Sequence, residues 1–189
     1  MSICSGTTND SAIKINYSAY LQLFVFNTAS NNLDKFCSQA KTPWSPATFI
    51  INGKNRIDYT QCQANQLLAQ KFFVETNFNI TRIEKIIARL YPTLKIHAKL
   101  HRLLYFTLHS FQKELSIPRI EKYQLGTLYL VCPNPGVRGA EISCDRENTS
   151  PPGINFNLIR WFYCPTGSKY SISPCKNGQR IIIEYLVCH

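Results

Sequence analysis

Apolar and polar residues fall into three textures along the chain. Residues 20–26, YLQLFVF, are apolar or aromatic except for Gln22, a run that suits a buried strand. A short run at 48–52 also reads as a strand, after a loop that carries Pro43 and Pro46. In the middle of the chain the period approaches that of a helix. The stretch 63–90 reads as helical, and its end, RIEKIIARL at 82–90, sets Ile83, Ile86, Ile87 and Leu90 on one face, with Thr81 as a cap and Tyr91-Pro92 as a stop. Residues 95–115, KIHAKLHRLLYFTLHSFQKEL, carry the longest stripe: Ile96, Leu100, Leu103, Leu104, Leu108, Phe111 and Leu115, closed by Pro118. The spacing predicts a long helix there and a second over 119–131, in which Gly126 marks a close packing contact.

Beyond residue 131 the chain turns to Pro, Gly, Asn and Cys. FNLIRWFY at 156–163 and RIIIEYLV at 180–187 read as strands. The whole is an α+β pattern, strands at both ends and helices between. The polar segment 1–17 is expected to be a flexible N-terminal extension, and 18–189 a single domain. A core of this size buries roughly two thirds of the surface that the unfolded chain exposes.

The net charge of +10 makes an anionic partner such as RNA attractive, although solubility alone also accounts for it. No run of five or more basic residues concentrates the charge. The eight cysteines, Cys4, Cys37, Cys62, Cys132, Cys144, Cys164, Cys175 and Cys188, form no CxxC pair, which disfavours a structural zinc site and favours disulfides in an oxidising compartment. Sequons at Asn9, Asn16, Asn79 and Asn148 point the same way, each weakly. No apolar run approaches the roughly 20 residues of a membrane span. The opening residues lack the apolar core of a signal peptide, so a secreted protein is expected in mature form, monomeric, with its starting Met added.

Few residues are arranged for chemistry. His97 and His101 stand four apart, on one face of the predicted long helix, but no third metal ligand accompanies them, and Lys95, Lys99 and Arg102 suggest a solvated or anion-facing side. There is no GxSxG elbow and no glycine-rich phosphate loop. Nothing in the sequence asks for a cofactor. His109 and Lys113 share a helical face, with Glu114 one residue round.

Taken in order, several segments resemble the ribonuclease T2 family of secreted acid endoribonucleases. SAYLQLFVF at 18–26 is similar to that family's first strand, Phe36-Cys37 to the F-C that follows, and FIINGKN at 49–55 to the frame of F-T-I-H-G-L-W. YPTL at 91–94, YFTLHSFQKEL at 105–115 and KYQLGTLYL at 122–130 resemble W-P-D/N-L, F-W-x-H-E-W-x-K-H-G and the helix after it. The last fifteen residues before His189 look like the family's closing strand. The match runs over most of 18–130 and the tail, with shortened spacers and no motif intact.

The resemblance implies a central antiparallel sheet with several helices packed on it. It also implies a damaged active site. Asn52 and Glu114 stand where the family has its two catalytic histidines, and Ser110 where it has a glutamate that stabilises the pentacoordinate phosphate. An amide neither gives nor takes a proton near neutral pH. His109 and Lys113 remain as the family's phosphate contacts. The expectation is therefore a secreted pseudoenzyme that binds RNA, another polyanion or a protein partner, with Lys54, Arg56, His109 and Lys113 as a vestigial phosphate site and Tyr59 to stack a base. One alternative is an active acid endoribonuclease with His109 as acid and Glu114 as base. The other is an interaction, effector or storage protein that uses the fold only as a scaffold.

Overall fold

The computed structural model describes residues 4–8, 12–17, 22–27, 44–51, 54–76, 80–134, 137–145, 147–148 and 159–189. In chain order these form β1 (Cys4–Thr8), β2 (Ala12–Tyr17), β3 (Gln22–Asn27), β4 (Ser45–Pro46), β5 (Phe49–Ile51), β6 (Lys54–Arg56) and β7 (Asn65–Leu68). After a 3-10 turn come β8 (Phe72–Thr76), helix α1 (Ile80–Ala88), β9 (His97–Phe106), β10 (Gln112–Ser116) and β11 (Gln124–Val131). The chain closes with β12 (Ile142–Cys144), β13 (Glu147–Asn148), β14 (Ile159–Pro165), β15 (Lys169–Ile172) and β16 (Arg180–Cys188).

A seven-stranded antiparallel sheet in the order β1-β14-β11-β16-β9-β7-β4 organises the described residues. A four-stranded sheet, β10-β15-β12-β13, a three-stranded sheet, β3-β2-β8, and the hairpin β5-β6 accompany it. Both faces of the large sheet are covered. On one face, Leu103, Tyr105, Leu128, Leu130, Trp161, Tyr163, Ile181, Ile183 and Val187 pack with Ile83 and Ile87 of α1, Phe72 of β8 and Ile15 of β2. On the other, Leu104, Phe106, Tyr129, Val131, Phe162 and Ile182 meet Ile142, Tyr170 and Ile172 of the four-stranded sheet.

This double cover explains why two predicted helices are strands. A strand covered on both faces loses its polar alternation and reads as a continuous apolar run. Leu103-Leu104-Tyr105-Phe106 is such a run, and all four residues are buried in β9. Its apolar positions match a helical stripe by coincidence of spacing, because short continuous runs do not separate the two periods. The same holds for β11, where QLGTLYLV replaces the helix predicted over 119–131. Gly126 does mark a close approach: a Cβ there would stand 2.5 Å from the Cys164 carbonyl oxygen and 2.6 Å from the Tyr163 ring. Of the helix predicted over 63–90 only the end is present, as α1, with Ile83 and Ile87 buried; its first part holds the strands β7 and β8 instead.

The expected α+β ribonuclease T2-like fold is therefore incorrect. Among the described residues one α-helix accompanies sixteen strands, where the resemblance required several helices packed on a central sheet. The frame that aligned YFTLHSFQKEL with a catalytic helix falls instead on the end of β9, a tight turn and β10. Within the segment expected to be a flexible extension, β1 pairs with β14 and β2 pairs with β3 and β8.

Candidate ligand-binding site

The register of β9 against β16 is broken once. Arg102 stands opposite Glu184 and Leu100 opposite Tyr185, which leaves His101 as the extra residue of a β-bulge. A bulge re-aims side chains, and bulges concentrate at functional positions in sheets. Here His101 and Arg102 both line a cavity of ≈ 480 Å³ between the large sheet and the four-stranded one.

Each wall comes from a different element. The segment through β5 and β6 supplies Thr48, Phe49, Ile50 and Asn55; β7 supplies Gln66 and Leu68; β10 and the chain after it supply Leu115, Ser116, Pro118 and Ile120. Thr127 and Tyr129 of β11, Tyr170 of β15 and Glu184 of β16 complete it. The Tyr129 and Tyr170 rings stack with centroids 5.5 Å apart. Leu68 and Ile120 are 43% and 39% exposed, an apolar rim left open to solvent.

At the centre is an ion pair. Arg102 Nε donates to Glu184 Oε2 at 3.1 Å, and both residues are buried. Arg102 Nη1 donates to the Thr48 carbonyl oxygen at 2.6 Å and to Gln66 Oε1 at 3.0 Å, while its guanidinium lies 5.0 Å from the Phe49 ring centroid. Taking two charges out of water costs several kcal/mol per ion, so such a pair persists only with this density of compensating contacts. Burial is the largest influence on Arg102 and opposes its charge, but the charge and hydrogen bond of Glu184, with Tyr170 and Tyr129, together hold the guanidinium above its ordinary pKa.

His101 Nε2 lies 3.9 Å from Glu184 Oε1, beyond hydrogen-bond distance. Burial pushes the His101 imidazole below its usual range; the Glu184 carboxylate partly opposes this, as Glu121 does more weakly, while Arg102 and Lys99 add to it. Near neutral pH the ring is therefore uncharged. Burial also raises the Tyr129 and Tyr170 phenols, which stay protonated donors.

The residues expected to form a phosphate site lie elsewhere. Asn52 is outside the described residues. Lys54 and Arg56 are exposed on β6, and Tyr59 is exposed in the turn after it. His109 sits exposed in the β9–β10 turn at φ 65°, its N–H bonded to the Cys175 carbonyl oxygen at 2.7 Å. Ser110 is buried, its hydroxyl 2.8 Å from that of Thr107, which holds the turn. Lys113 and Glu114 are exposed on β10, where Glu114 pairs with Lys169 at 3.3 Å. No helix joins His109, Lys113 and Glu114. The pseudoenzyme reading, its active-site alternative and RNA recognition by this group lose their structural basis.

Similarly, His97 and His101 share no helical face: His97 is exposed and His101 turns into the cavity. Cys62, Cys175 and Cys188 are free, buried thiols, not half-cystines, and burial pushes Cys62 up to about 11. Cys132, Cys144 and Cys164 are buried as well; Cys4 lies on β1 and Cys37 outside the described residues. Asn16 and Asn148 lie on β2 and β13, whereas Asn9 and Asn79 are outside the described residues. No described helix is long and apolar enough to cross a membrane.

Sequence reasoning missed Arg102, Glu184, Gln66, Tyr129 and Tyr170. One signal was present: Glu184 interrupts an otherwise apolar run, IIIEYLV, and an acid in a buried strand requires a partner. No protein-family model matches this chain, and no curated protein does. The fold is similar to a crystal structure of an oxidoreductase of the 2OG-Fe(II) oxygenase family from Burkholderia pseudomallei, at a TM-score of 0.46 and 11% identity, over 82% of this chain and 78% of that one. Among the described residues, no three His, Cys, Asp or Glu converge to hold a metal ion.

Proposed function

We propose that this protein binds a small organic molecule in the cavity between its two larger sheets. The observation that carries this reading is the convergence of Arg102, Glu184 and His101, from two strands at a bulge, on a space of ligand size with an open apolar rim. Small-molecule sites are typically concave and mostly apolar, with a few placed polar groups that fix orientation. Phe49, Leu115, Tyr129 and Tyr170 supply the apolar walls, and the ion pair supplies the polar end.

A purely structural ion pair has no need of a cavity beside it. The bulge at His101 also adds a titratable group without a short bond to Glu184, an arrangement suited to a guest.

The test is a ligand-observed NMR screen of aromatic fragments against the native chain and the rim variants Leu68→Trp and Ile120→Trp. Both residues are already exposed, so the fold tolerates the larger ring while the entrance is filled. Fragments that bind the native chain are expected to lose at least tenfold in affinity to both variants. Binding unchanged in both would place the ligand elsewhere and overturn the reading.

A further inference from the structure

The charge balance inside the cavity narrows the class of guest, an inference that rests on the ligand-site reading above. We propose that the cavity takes an uncharged molecule through a carboxamide-like edge, its carbonyl oxygen facing Arg102 and its N–H facing Glu184.

Three observations carry this. First, Arg102 and Glu184 cancel one another, and apart from His101 every other lining side chain is apolar or neutral polar. A carboxylate entering here would meet the Glu184 carboxylate along with Arg102, and an ammonium would meet the Arg102 guanidinium along with Glu184. Either would give up its hydration for a field that is nearly balanced.

Second, the ion pair keeps an unused donor and an unused acceptor. Arg102 commits Nε and Nη1, and no described residue accepts a hydrogen bond from its Nη2. Glu184 commits Oε2, and no described residue donates a hydrogen bond to its Oε1, from which His101 Nε2 stands 3.9 Å away. Because Nε and Oε2 are already joined, Nη2 and Oε1 belong to neighbouring groups and offer adjacent donor and acceptor positions. A carboxamide or lactam edge has the complementary pair. Neither atom is among the buried polar atoms without a partner, so both are accessible from the cavity, and a guest that covers them is favoured if it meets both, each one left unmet costing roughly 1–3 kcal/mol.

Third, the space beyond the pair is bounded by Phe49, Tyr129, Tyr170 and Leu115, which accept a ring or a short apolar body. The expected guest is thus amphipathic, with a neutral polar head.

Benzamide, benzoate and benzylamine, which share a ring and differ in the charge of the head, are titrated by ligand-observed NMR at pH 7.5. Benzamide is expected to bind at least tenfold more tightly than either charged probe. Lowering the pH to 5 protonates more of His101, which is faced by Glu184 and Glu121 and by Arg102 and Lys99, and is expected to raise benzoate binding relative to benzamide. Glu184→Gln leaves Arg102 without its counter-charge and is expected to reverse the order in favour of benzoate; the native titration stands alone if that variant fails to fold. Benzoate or benzylamine bound as tightly as benzamide, and displaced by the Leu68→Trp rim, would overturn the amide inference while leaving the ligand site in place. No binding by any probe, or binding indifferent to the rim variants, would overturn both.

Discussion

The two faces of the seven-stranded sheet are built from the same strands and do different work. On the face under α1, side chains from β9, β11, β14 and β16 interdigitate with Ile83, Ile87 and Phe72, and the Tyr91 and Tyr163 hydroxyls meet at 2.8 Å. On the other face the apolar packing continues only part of the way, and towards the β9–β16 bulge it gives way to Arg102, Glu184, Gln66 and a cavity. Neighbouring residues divide between the faces: Leu103 and Ile183 enter one core, and Arg102 and Glu184 the cavity. A single sheet can thus carry a packed core on one side and a polar cavity on the other, provided that the buried charges on the polar side are paired.

That division is open to test, and the largest effect is expected at the ion pair. Arg102→Met leaves Glu184 as a buried charge without its partner and is expected to cost about 3–5 kcal/mol in chemical denaturation. The double variant Arg102→Met/Glu184→Leu is expected to recover most of that loss, since replacing a whole buried pair with apolar groups is often neutral. A double variant no more stable than Arg102→Met would mean that the pair holds the fold through more than charge.

Next in size comes the opposite face. Ile183→Ala removes a fully buried side chain and is expected to cost about 2–5 kcal/mol while fragment affinity stays within twofold of the native value. Loss of binding in a folded Ile183→Ala chain would show that the two faces are not separable.

A smaller effect is expected from pH. The folded pKa of His101 lies below its unfolded value of about 6.5, so the neutral ring is favoured by folding. Its contribution is fully present above pH 6.5 and is lost as the pH falls from there through the folded pKa. Denaturation midpoints followed downward from pH 7 should decline less steeply in His101→Gln than in the native chain; equal slopes would deny His101 its buried position.

The smallest effects belong to the surface. Glu114→Gln and Lys113→Ala are expected to change stability by no more than about 0.5 kcal/mol, because both side chains are exposed and the Glu114–Lys169 pair is solvated. Fragment binding should not change in either variant.

The sequence was legible where one signal dominated. The end of the helix predicted over 63–90, with capping and stop residues around a 3.6 period, and the β-branched strand at 180–187 are both present, whereas residues 65–68 and 72–76 of that predicted helix are strands. It misled where a strand is buried on both sides: KIHAKLHRLLYF carries no alternation over its second half, and only the helical template remained to fit it. The site was hidden for the same reason. On a helix Arg102 belongs with Lys99 and His101 on a solvated face, whereas in β9 the bulge turns His101 and Arg102 inward to meet Glu184, 82 residues away. The apparent ribonuclease frame depended on that helix, and it fell with it.

The most direct test of the account is backbone amide chemical-shift mapping of the native chain during a fragment titration. Shifts are expected to cluster at 48–50, 66–68, 101–102, 115–120 and 184, which lie around the cavity. Shifts confined to 56–59 and 109–113, around the exposed positions at which the ribonuclease frame had placed its phosphate site, would contradict it.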